Sequence, residues 1–195
     1  YNLTAGGSVT DSGALAITGV TTIDASSGNV TLNTATNNFQ GAVEIDGVNV
    51  VVVDAGAIDL GASTVTGTYA VTATSGNISD SGNLAVTGAA SFITGASGSN
   101  IILDASGNAF SNAVTLQADD GSETFGDITF IDSGAVRLHS SAGANGDLYI
   151  NAATDATVGG NLNVTATTGN ITQGRVVVVS GTSSFTTSAN NATIT

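Results

Sequence analysis

The sequence predicts an all-β protein, a right-handed parallel β-helix (β-solenoid) in which short strands stack coil upon coil. The chain lacks proline, tryptophan, methionine and cysteine and is rich in small and β-branched side chains, which suit pleated, half-buried surfaces. Its 26 glycines, with many Asn, Asp and Ser, supply tight corners at short intervals. Similar segments also return at fixed spacings, as stacked coils require.

Apolar residues alternate with small or polar ones in short runs, so each run has one face that turns inward. Leu15 and Ile17, Leu84 and Val86, and Leu162 and Val164 illustrate the pattern. Because such runs recur about every eight residues, a coil of about 23 residues holds three strands. This predicts a triangular cross-section.

Two spacings describe the repeats. DSGALAITG at 11–19 returns as DSGNLAVTG at 80–88, 69 residues on, and the pattern continues as QGRVVVVSG at 173–181, 93 residues further. Because 69 and 93 are about three and four times 23, the repeat units contain three and four coils of about 23 residues. The longer unit contains one inserted coil, near 139–160. We therefore predict one solenoid segment, 1–195, of roughly eight coils, with repeat units at approximately 11–79, 80–172 and 173–195.

The corners repeat as well. Glycine and asparagine tolerate the positive φ that tight turns require, and aspartate often begins a turn. Asp-x-Gly begins at Asp11, Asp54, Asp80 and Asp132, and Gly-Asn precedes an aliphatic residue at Asn29, Asn77 and Asn170.

The charge limits the classes of partner. Fifteen acidic residues stand against two arginines and no lysine, a net charge of −13, which opposes binding to nucleic acid and to anionic membrane surfaces. No apolar run approaches the roughly 20 residues that span a bilayer, so we expect no membrane insertion. With no leader-like opening segment, the chain is expected to be internal to a longer gene product.

The repeat style resembles filamentous haemagglutinin-like proteins of two-partner secretion. GNVTLNTATNNFQGAVEI at 28–45, VVVDAGAIDLGASTVTG at 51–67 and GNISDSGNLAVTG at 76–88 carry the resemblance, and NIILDASGNAFSNAVTL at 100–116 and FIDSGAVRLHSS at 130–141 continue it. The resemblance implies a secreted, surface-attached bacterial adhesin or related exoprotein, whose β-helical shaft acts as a spacer. The family's amino-terminal secretion domain is missing from this chain.

One acidic segment is a candidate calcium site. Asp119, Asp120, Glu123 and Asp127 lie where the second repeat unit gains seven residues, and four carboxylates suit a hard cation such as calcium. The spacing matches neither an EF-hand nor the glycine-rich repeat of calcium-binding β-rolls. A solvated loop without metal is therefore favoured, and no cofactor is expected.

Catalysis is not expected. Arg137 and His139 lie two residues apart on one strand, outward if Val136 and Leu138 point inward, and Arg175 is the other basic residue. Polysaccharide lyases with parallel β-helices use basic groups and clustered acids in a groove, and this chain has no lysine. We therefore predict that the protein is not an enzyme.

Three further patterns receive structural interpretations. Thr-x-Thr occurs at Thr64, Thr72 and Thr165, without the coil-by-coil recurrence of ice-binding solenoids. Phe39 with Phe110, and Phe92 with Phe185, are expected to pack in the interior. The Asn-x-Ser/Thr sequons are attributed to Gly-Asn corners followed by Thr-rich strands; they lie at Asn2, Asn29, Asn77, Asn163, Asn170 and Asn191.

The predicted function is mechanical, a stiff shaft or spacer in a secreted bacterial cell-surface protein. Its expected neighbours are adjoining coils of a longer parent chain, with surface glycans or host proteins bound elsewhere. The alternative is a subunit of an extracellular fibre or sheath, in which identical copies stack end to end through exposed strand edges. An enzyme acting on polysaccharides is the least favoured class.

Overall fold

The computed structural model describes residues 1–118, 126–139, 147–150, 156–174 and 176–195. These residues form about eight coils of parallel strands with a spacing of about 21 residues, which confirms the predicted β-solenoid. The spacing is slightly shorter than the expected 23 residues. Within the described residues no helix is present, and hence none that is long and apolar enough to cross a membrane.

Each regular coil contributes three strands, and most strands pair in parallel with the strand three places later. Val50 in one coil pairs with Tyr69, and Tyr69 pairs with Ala90, so equivalent residues lie directly above one another. The strands therefore form three faces.

The strands of face 1 are β1 Asn2–Thr4, β4 Thr21–Ala25, β7 Val43–Gly47, β10 Ser63–Val65, β13 Leu84–Val86 and β16 Ala109–Phe110. Those of face 2 are β2 Val9–Thr10, β5 Val30–Leu32, β8 Val50–Asp54, β11 Tyr69–Ala73, β14 Ala90–Thr94, β17 Val114–Gln117, β20 Asp147–Ile150, β19 Val136–His139 and β23 Ile171–Gln173. Those of face 3 are β3 Ala16–Ile17, β6 Asn38–Phe39, β9 Ile58–Leu60, β12 Ile78–Asp80, β15 Ile101–Leu103, β18 Ile128–Asp132, β22 Leu162–Ala166 and β25 Ser183–Thr187. β9 also pairs with β7 of face 1, and β21 Ala156–Val158 and β24 Val177–Val179 form a separate two-stranded ladder.

The core consists of columns of inward side chains that run along the axis. On face 2 one column is Leu32, Val52, Val71, Phe92 and Leu116, all buried and in register. Alternation along each strand places these residues inside and their neighbours outside, as the sequence pattern predicts. Each column buries apolar surface against the coils above and below, so every coil stabilises its neighbours.

Aromatic side chains occupy the middle of the core. Tyr69, Phe92, Phe110 and Phe130 form a chain of ring contacts with centroid separations of 5.7, 6.0 and 5.3 Å. The predicted burial of Phe39, Phe92 and Phe110 is confirmed. Phe185 is only partly buried, since it lies in the last coil.

The repeat unit does not contain a whole number of coils. Segment 71–79 covers β11 and β12, and its equivalent, 164–172, covers β22 and β23. However, β11 pairs with β8 and β14 on face 2, whereas β22 pairs with β18 and β25 on face 3. β22 lies eleven strands after β11, and one of the eleven is the extra strand β20, so the underlying repeat is ten strands, as between β3 and β13. Because ten is not a multiple of three, each repeat is rotated by one face.

The predicted units of three and four coils, with one inserted coil near 139–160, are counted in whole coils, whereas the ten-strand repeat is not a whole number of coils. Within the described residues of 139–160, the extra strand is β20. This strand pairs with β17 on one side and β19 on the other. A single coil, lengthened by the insertion, separates Ile128 from its partner Leu162.

Glycine is needed at corners where the backbones of neighbouring coils approach closely. A Cβ at Gly88 would collide with the carbonyl group of Gly67, and one at Gly28 would collide with the backbone of Gly7. A Cβ at Gly13, in contrast, has no atom within 4 Å.

We expect Gly88→Ala to lower the free energy of unfolding by about 1–3 kcal/mol, because two coils must separate to admit the methyl group. Gly13→Ala is the matched control and should change stability by less than about 0.5 kcal/mol. Urea denaturation followed by circular dichroism measures both. Equal stabilities of the two variants would contradict the assigned close approach.

Candidate functional site

The four Asp-x-Gly aspartates lie at strand ends and turn inward. Asp54, Asp80 and Asp132 are the last residues of β8, β12 and β18, and their exposed fractions are 0%, 8% and 4%. Asp11 directly follows β2 and is half-buried. The sequence predicted corners at these positions, but it did not predict that the carboxylates enter the interior.

Asp80 forms a buried cluster with Asn108 of the next coil. The Nδ2 atom of Asn108 donates to Oδ2 of Asp80 at 2.6 Å, and Oδ1 of Asp80 accepts the backbone N–H groups of Asp104 and Ala105 at 2.8 and 3.2 Å. Oδ1 of Asn108 accepts the N–H of Leu84 at 2.8 Å. The pair therefore provides acceptors to backbone groups on both sides of the corner.

The first repeat contains the same cluster. Nδ2 of Asn37 donates to Oδ2 of Asp11 at 2.7 Å, and Oδ1 of Asn37 accepts the N–H of Leu15 at 2.8 Å. The carboxylate of Asp11 also accepts the N–H groups of Asn33 and Thr34 at 3.3 and 3.0 Å. Sequence reasoning missed both asparagines as partners, although each precedes by two residues a phenylalanine, Phe39 or Phe110, that the repeat had aligned.

Asp54 and Asp132 form the second kind of buried carboxylate site. Oδ2 of Asp54 accepts the N–H of Phe39 at 2.7 Å, and its Oδ1 accepts the N–H of Gly56 at 2.6 Å. Oδ1 of Asp132 accepts the N–H of Phe110 at 3.1 Å. Both sites are thus built from a strand-end carboxylate and a backbone donor in the preceding coil.

The surroundings of Asp80 and Asp132 raise the pKa of their carboxyl groups, whereas those of Asp11 lower it. Burial raises the pKa of Asp80 and of Asp132 above the ordinary 3.8, even though hydrogen bonds act the other way, and the charge of Asp104 adds to the effect on Asp80. Burial also acts on Asp11, but the hydrogen bonds from Asn37, Thr34 and Asn33 outweigh it and lower its pKa. Ionisation of Asp80 or of Asp132 therefore costs more free energy in the folded chain than in the unfolded chain.

The Gly-Asn corners form ladders of side-chain amides. Oδ1 of Asn29 accepts the N–H of Asn49, and Oδ1 of Asn49 accepts the N–H of Thr68, at 3.1 and 3.0 Å. One repeat later the ladder continues on the next corner of the triangle, where it is formed by Asn77, Asn100, Asp127, Asn161 and Thr182. These bonds support the structural interpretation of the sequons at Asn29 and Asn77.

The predicted calcium residues fall mainly outside the described part of the chain, since Asp119, Asp120 and Glu123 belong to 119–125. Asp127 is described, and its carboxylate accepts the backbone N–H and the Nδ2 of Asn161 at 2.7 and 3.2 Å as a ladder member. Gly126 donates its N–H to the carbonyl of Ala118 at 3.0 Å. Within the described ranges, no group of three or more His, Cys, Asp or Glu residues could hold a metal ion.

The structure describes two of the three basic residues that the sequence analysis singled out. Val136 and Leu138 are buried, and Arg137 between them is exposed, as the alternation predicted. His139 ends the same strand, and Arg175 lies outside the described residues.

The Thr-x-Thr motifs do not form one surface. Thr64 lies on β10, Thr72 on β11 and Thr165 on β22, which belong to three different faces. The rotation of the repeat therefore separates equivalent threonines and prevents a single threonine stripe.

The first and last coils of the chain expose parts of the core. A cavity of about 400 Å³ at the carboxyl-terminal coil is lined by Leu138, Ile171, Val177 and Phe185, among others. A cavity of about 370 Å³ at the amino-terminal coil is lined by residues that include Leu3, Val9, Leu15 and Ile23. Both cavities open onto the stacked core side chains and are lined by apolar residues together with polar ones, among them Gln173 in the carboxyl-terminal cavity and Asp11 in the amino-terminal one.

These features define a β-solenoid repeat protein whose corners are stabilised by side-chain amides and carboxylates. The chain belongs to the family described as repeats of unknown function (DUF5649), whose model matches residues 1–46, 47–117 and 125–195. The match at 47–117 contains ten strands, β8 to β17, which agrees with the ten-strand repeat found in the structure. Searches of curated proteins and of solved structures found no match.

A substitution and an exchange test the Asp80–Asn108 cluster. Asp80→Asn places two NH₂ groups opposite each other, and we expect it to lower the free energy of unfolding by about 1–3 kcal/mol. The double variant Asp80→Asn with Asn108→Asp restores a donor facing an acceptor and keeps an acceptor for Leu84, so most of the loss should be recovered. Urea denaturation of the parent chain and of both variants measures the loss and the recovery of the free energy of unfolding. An exchange that fails to recover stability would refute the assigned donor and acceptor pattern.

The raised pKa values predict a stability that falls toward neutral pH. The folded chain binds protons at Asp80 and Asp132 more tightly than the unfolded chain does, so the free energy of unfolding decreases as pH rises from 3.8 through their raised folded values. Asp11 acts in the opposite sense, because its contribution is lost as pH falls through its lowered pKa. Urea midpoints should therefore be higher near about pH 4.5 than near about pH 7.

Asp132→Asn separates this effect from the general repulsion of a chain with a net charge of −13. The variant should show a smaller decline between the two pH values than the parent chain. Asp24→Asn removes an exposed carboxylate whose pKa is lowered by Ser26, and it should leave the decline nearly unchanged. Equal declines in all three proteins would exclude Asp132 as a source of the pH dependence.

Proposed function

We propose that the chain is a rigid spacer, a shaft segment of a large secreted bacterial cell-surface protein of the adhesin type. The observation that carries the proposal is the parallel pairing of strands from coil to coil on three faces at once. A force along or across the axis is shared by backbone hydrogen bonds and packed side-chain columns in every coil.

The exterior supports an extracellular spacer. The net charge of −13 keeps the surface soluble and opposes adhesion to anionic membranes and to nucleic acid. The amide ladders satisfy backbone N–H groups at the corners, where an elongated chain would otherwise present them to solvent and proteases. In this proposal, glycans or host proteins bind to other parts of the parent protein, and the solenoid sets the distance between them and the cell. It carries out no catalysis.

A fibre or sheath subunit is the second candidate, and the partly apolar cavities at the first and last coils favour it. Two copies that met end to end would bury Leu3 and Val9 of one against Phe185 and Ile194 of the other. Such head-to-tail contacts do not close, so they would lead to filaments. Sedimentation velocity at increasing concentration, with electron microscopy, separates the candidates, because a fibre subunit forms growing assemblies whereas a spacer segment does not.

Duplication of one repeat tests the spacer proposal. A second copy of 47–117, inserted after residue 117, places β8 of the copy where β18 normally follows β17. Ten more strands add three and a third coils, which lengthen the particle by about 16 Å at roughly 4.8 Å per coil. Small-angle scattering should show this increase, and neither chain should bind cells. An unchanged length, or tight cell binding by the 195-residue chain, would sink the proposal.

A further inference from the structure

Two strand ladders of the stack end at β6 and at β16, and we call these two places the interruptions. Among the described strands, β6 does not pair with β9, the strand three places later, and β16 does not pair with β19. β9 pairs instead with β7, and β19 pairs with β20 and β23. Neighbouring couples such as β4 with β7 and β8 with β11 pair over five residues each. The interruptions are equivalent, since β16 and β19 lie ten strands after β6 and β9.

A buried carboxylate bridges each interruption. At the first, the N–H of Phe39 donates to Asp54, and the N–H of Ala55 donates to the carbonyl of Asn37 at 2.7 Å. At the second, the N–H of Phe110 donates to Asp132, and the N–H of Ser133 donates to the carbonyl of Asn108 at 2.7 Å. A side chain with rotatable bonds thus replaces part of a backbone ladder.

A small void also lies at the second interruption. Its volume is about 10 Å³, and Phe110, Phe130, Asp132, Val136 and Leu148 line it. The void therefore lies at the same point of the stack as the hydrogen bond from Phe110 to Asp132.

We propose that the two carboxylate-bridged interruptions are compliant joints, at which the solenoid opens and bends before any other part of its regular stack. Local opening is favoured where few backbone hydrogen bonds must break, and here a side-chain bond has replaced ladder bonds. The inference rests on the proposed spacer function, to which it adds a mechanical property. A shaft with one joint in each repeat yields under load without losing its coils.

The rotation of the repeat spreads the joints around the axis. The first joint lies where the ladder of face 3 ends at β6, and the second lies one face later, where the ladder of face 1 ends at β16. Three successive repeats would return a joint to the face on which it began. The joints therefore give the shaft flexibility without one preferred bending direction.

Amide hydrogen exchange, resolved by residue, tests the joints in the intact 195-residue chain. The N–H groups of Phe39 and Phe110 should exchange at least about tenfold faster than ladder amides of the same depth, such as those of β11, in line with roughly 1.4 kcal/mol less protection. Equal protection of joint and ladder amides would overturn the inference, and this comparison needs no variant.

Two reciprocal variants localise the effect. Asp132→Asn should accelerate exchange at Phe110 severalfold and leave Phe39 unchanged, and Asp54→Asn should do the reverse. Asp24→Asn is the control and should alter neither amide. Acceleration of every amide by the same factor would show a global loss of stability instead and would count against the joints.

The outcomes separate this inference from the function on which it rests. If repeat duplication lengthens the particle but exchange is uniform, the joints are refuted and the spacer remains. If duplication fails to lengthen the particle, the spacer is refuted whatever the exchange pattern shows.

Discussion

The parallel ladder between successive coils is the constraint from which the rest of the structure follows. Every coil must present its N–H and C=O groups in register with the coils above and below, because a buried backbone group without a partner costs free energy comparable to a lost hydrogen bond. Register places like residues in columns, and columns require side chains that stack, which explains the interior of Val, Ile, Leu and Phe. The corners must then turn within a few residues, and glycine is required where backbones approach, as at Gly88.

The repeat of this solenoid is not a whole number of coils, and this mismatch decides where equivalent segments lie. Each coil contains three strands and each repeat contains ten, so equivalent segments lie on successive faces. The asparagine ladder consequently changes corner from one repeat to the next, and the threonine motifs are distributed over all three sides. A surface of this kind does not present one continuous stripe to a partner. That property agrees with a spacer whose sides are interchangeable.

The buried aspartates supply hydrogen-bond acceptors at corners where the backbone ladder between coils is interrupted. Where the chain turns away from the register, the carboxylate of Asp54 or Asp132 supplies the acceptor that the neighbouring backbone does not provide. Where two turns meet, Asn108 donates one N–H to the carboxylate of Asp80, and the side-chain oxygens of the pair accept backbone N–H groups such as that of Leu84. Burial makes the ionisation of Asp80 and of Asp132 less favourable in the folded chain, and their raised pKa values express that cost. The corners thus adopt one defined hydrogen-bond pattern, and ionisation of these two acids lowers local stability.

The fold class, the three-strand coil and the inward faces could be predicted from the amino-acid pattern alone, because alternation and repetition are local properties that every coil shares. The same pattern marked Asp11, Asp54, Asp80 and Asp132 as corners. The ten-strand length of the repeat became visible only in the folded stack, since spacing in residues does not reveal on which face a strand lies. The direction in which the aspartates turn, and the asparagines that they meet, also depend on the fold, because those partners lie more than twenty residues away in the chain and are set by the register of stacked coils.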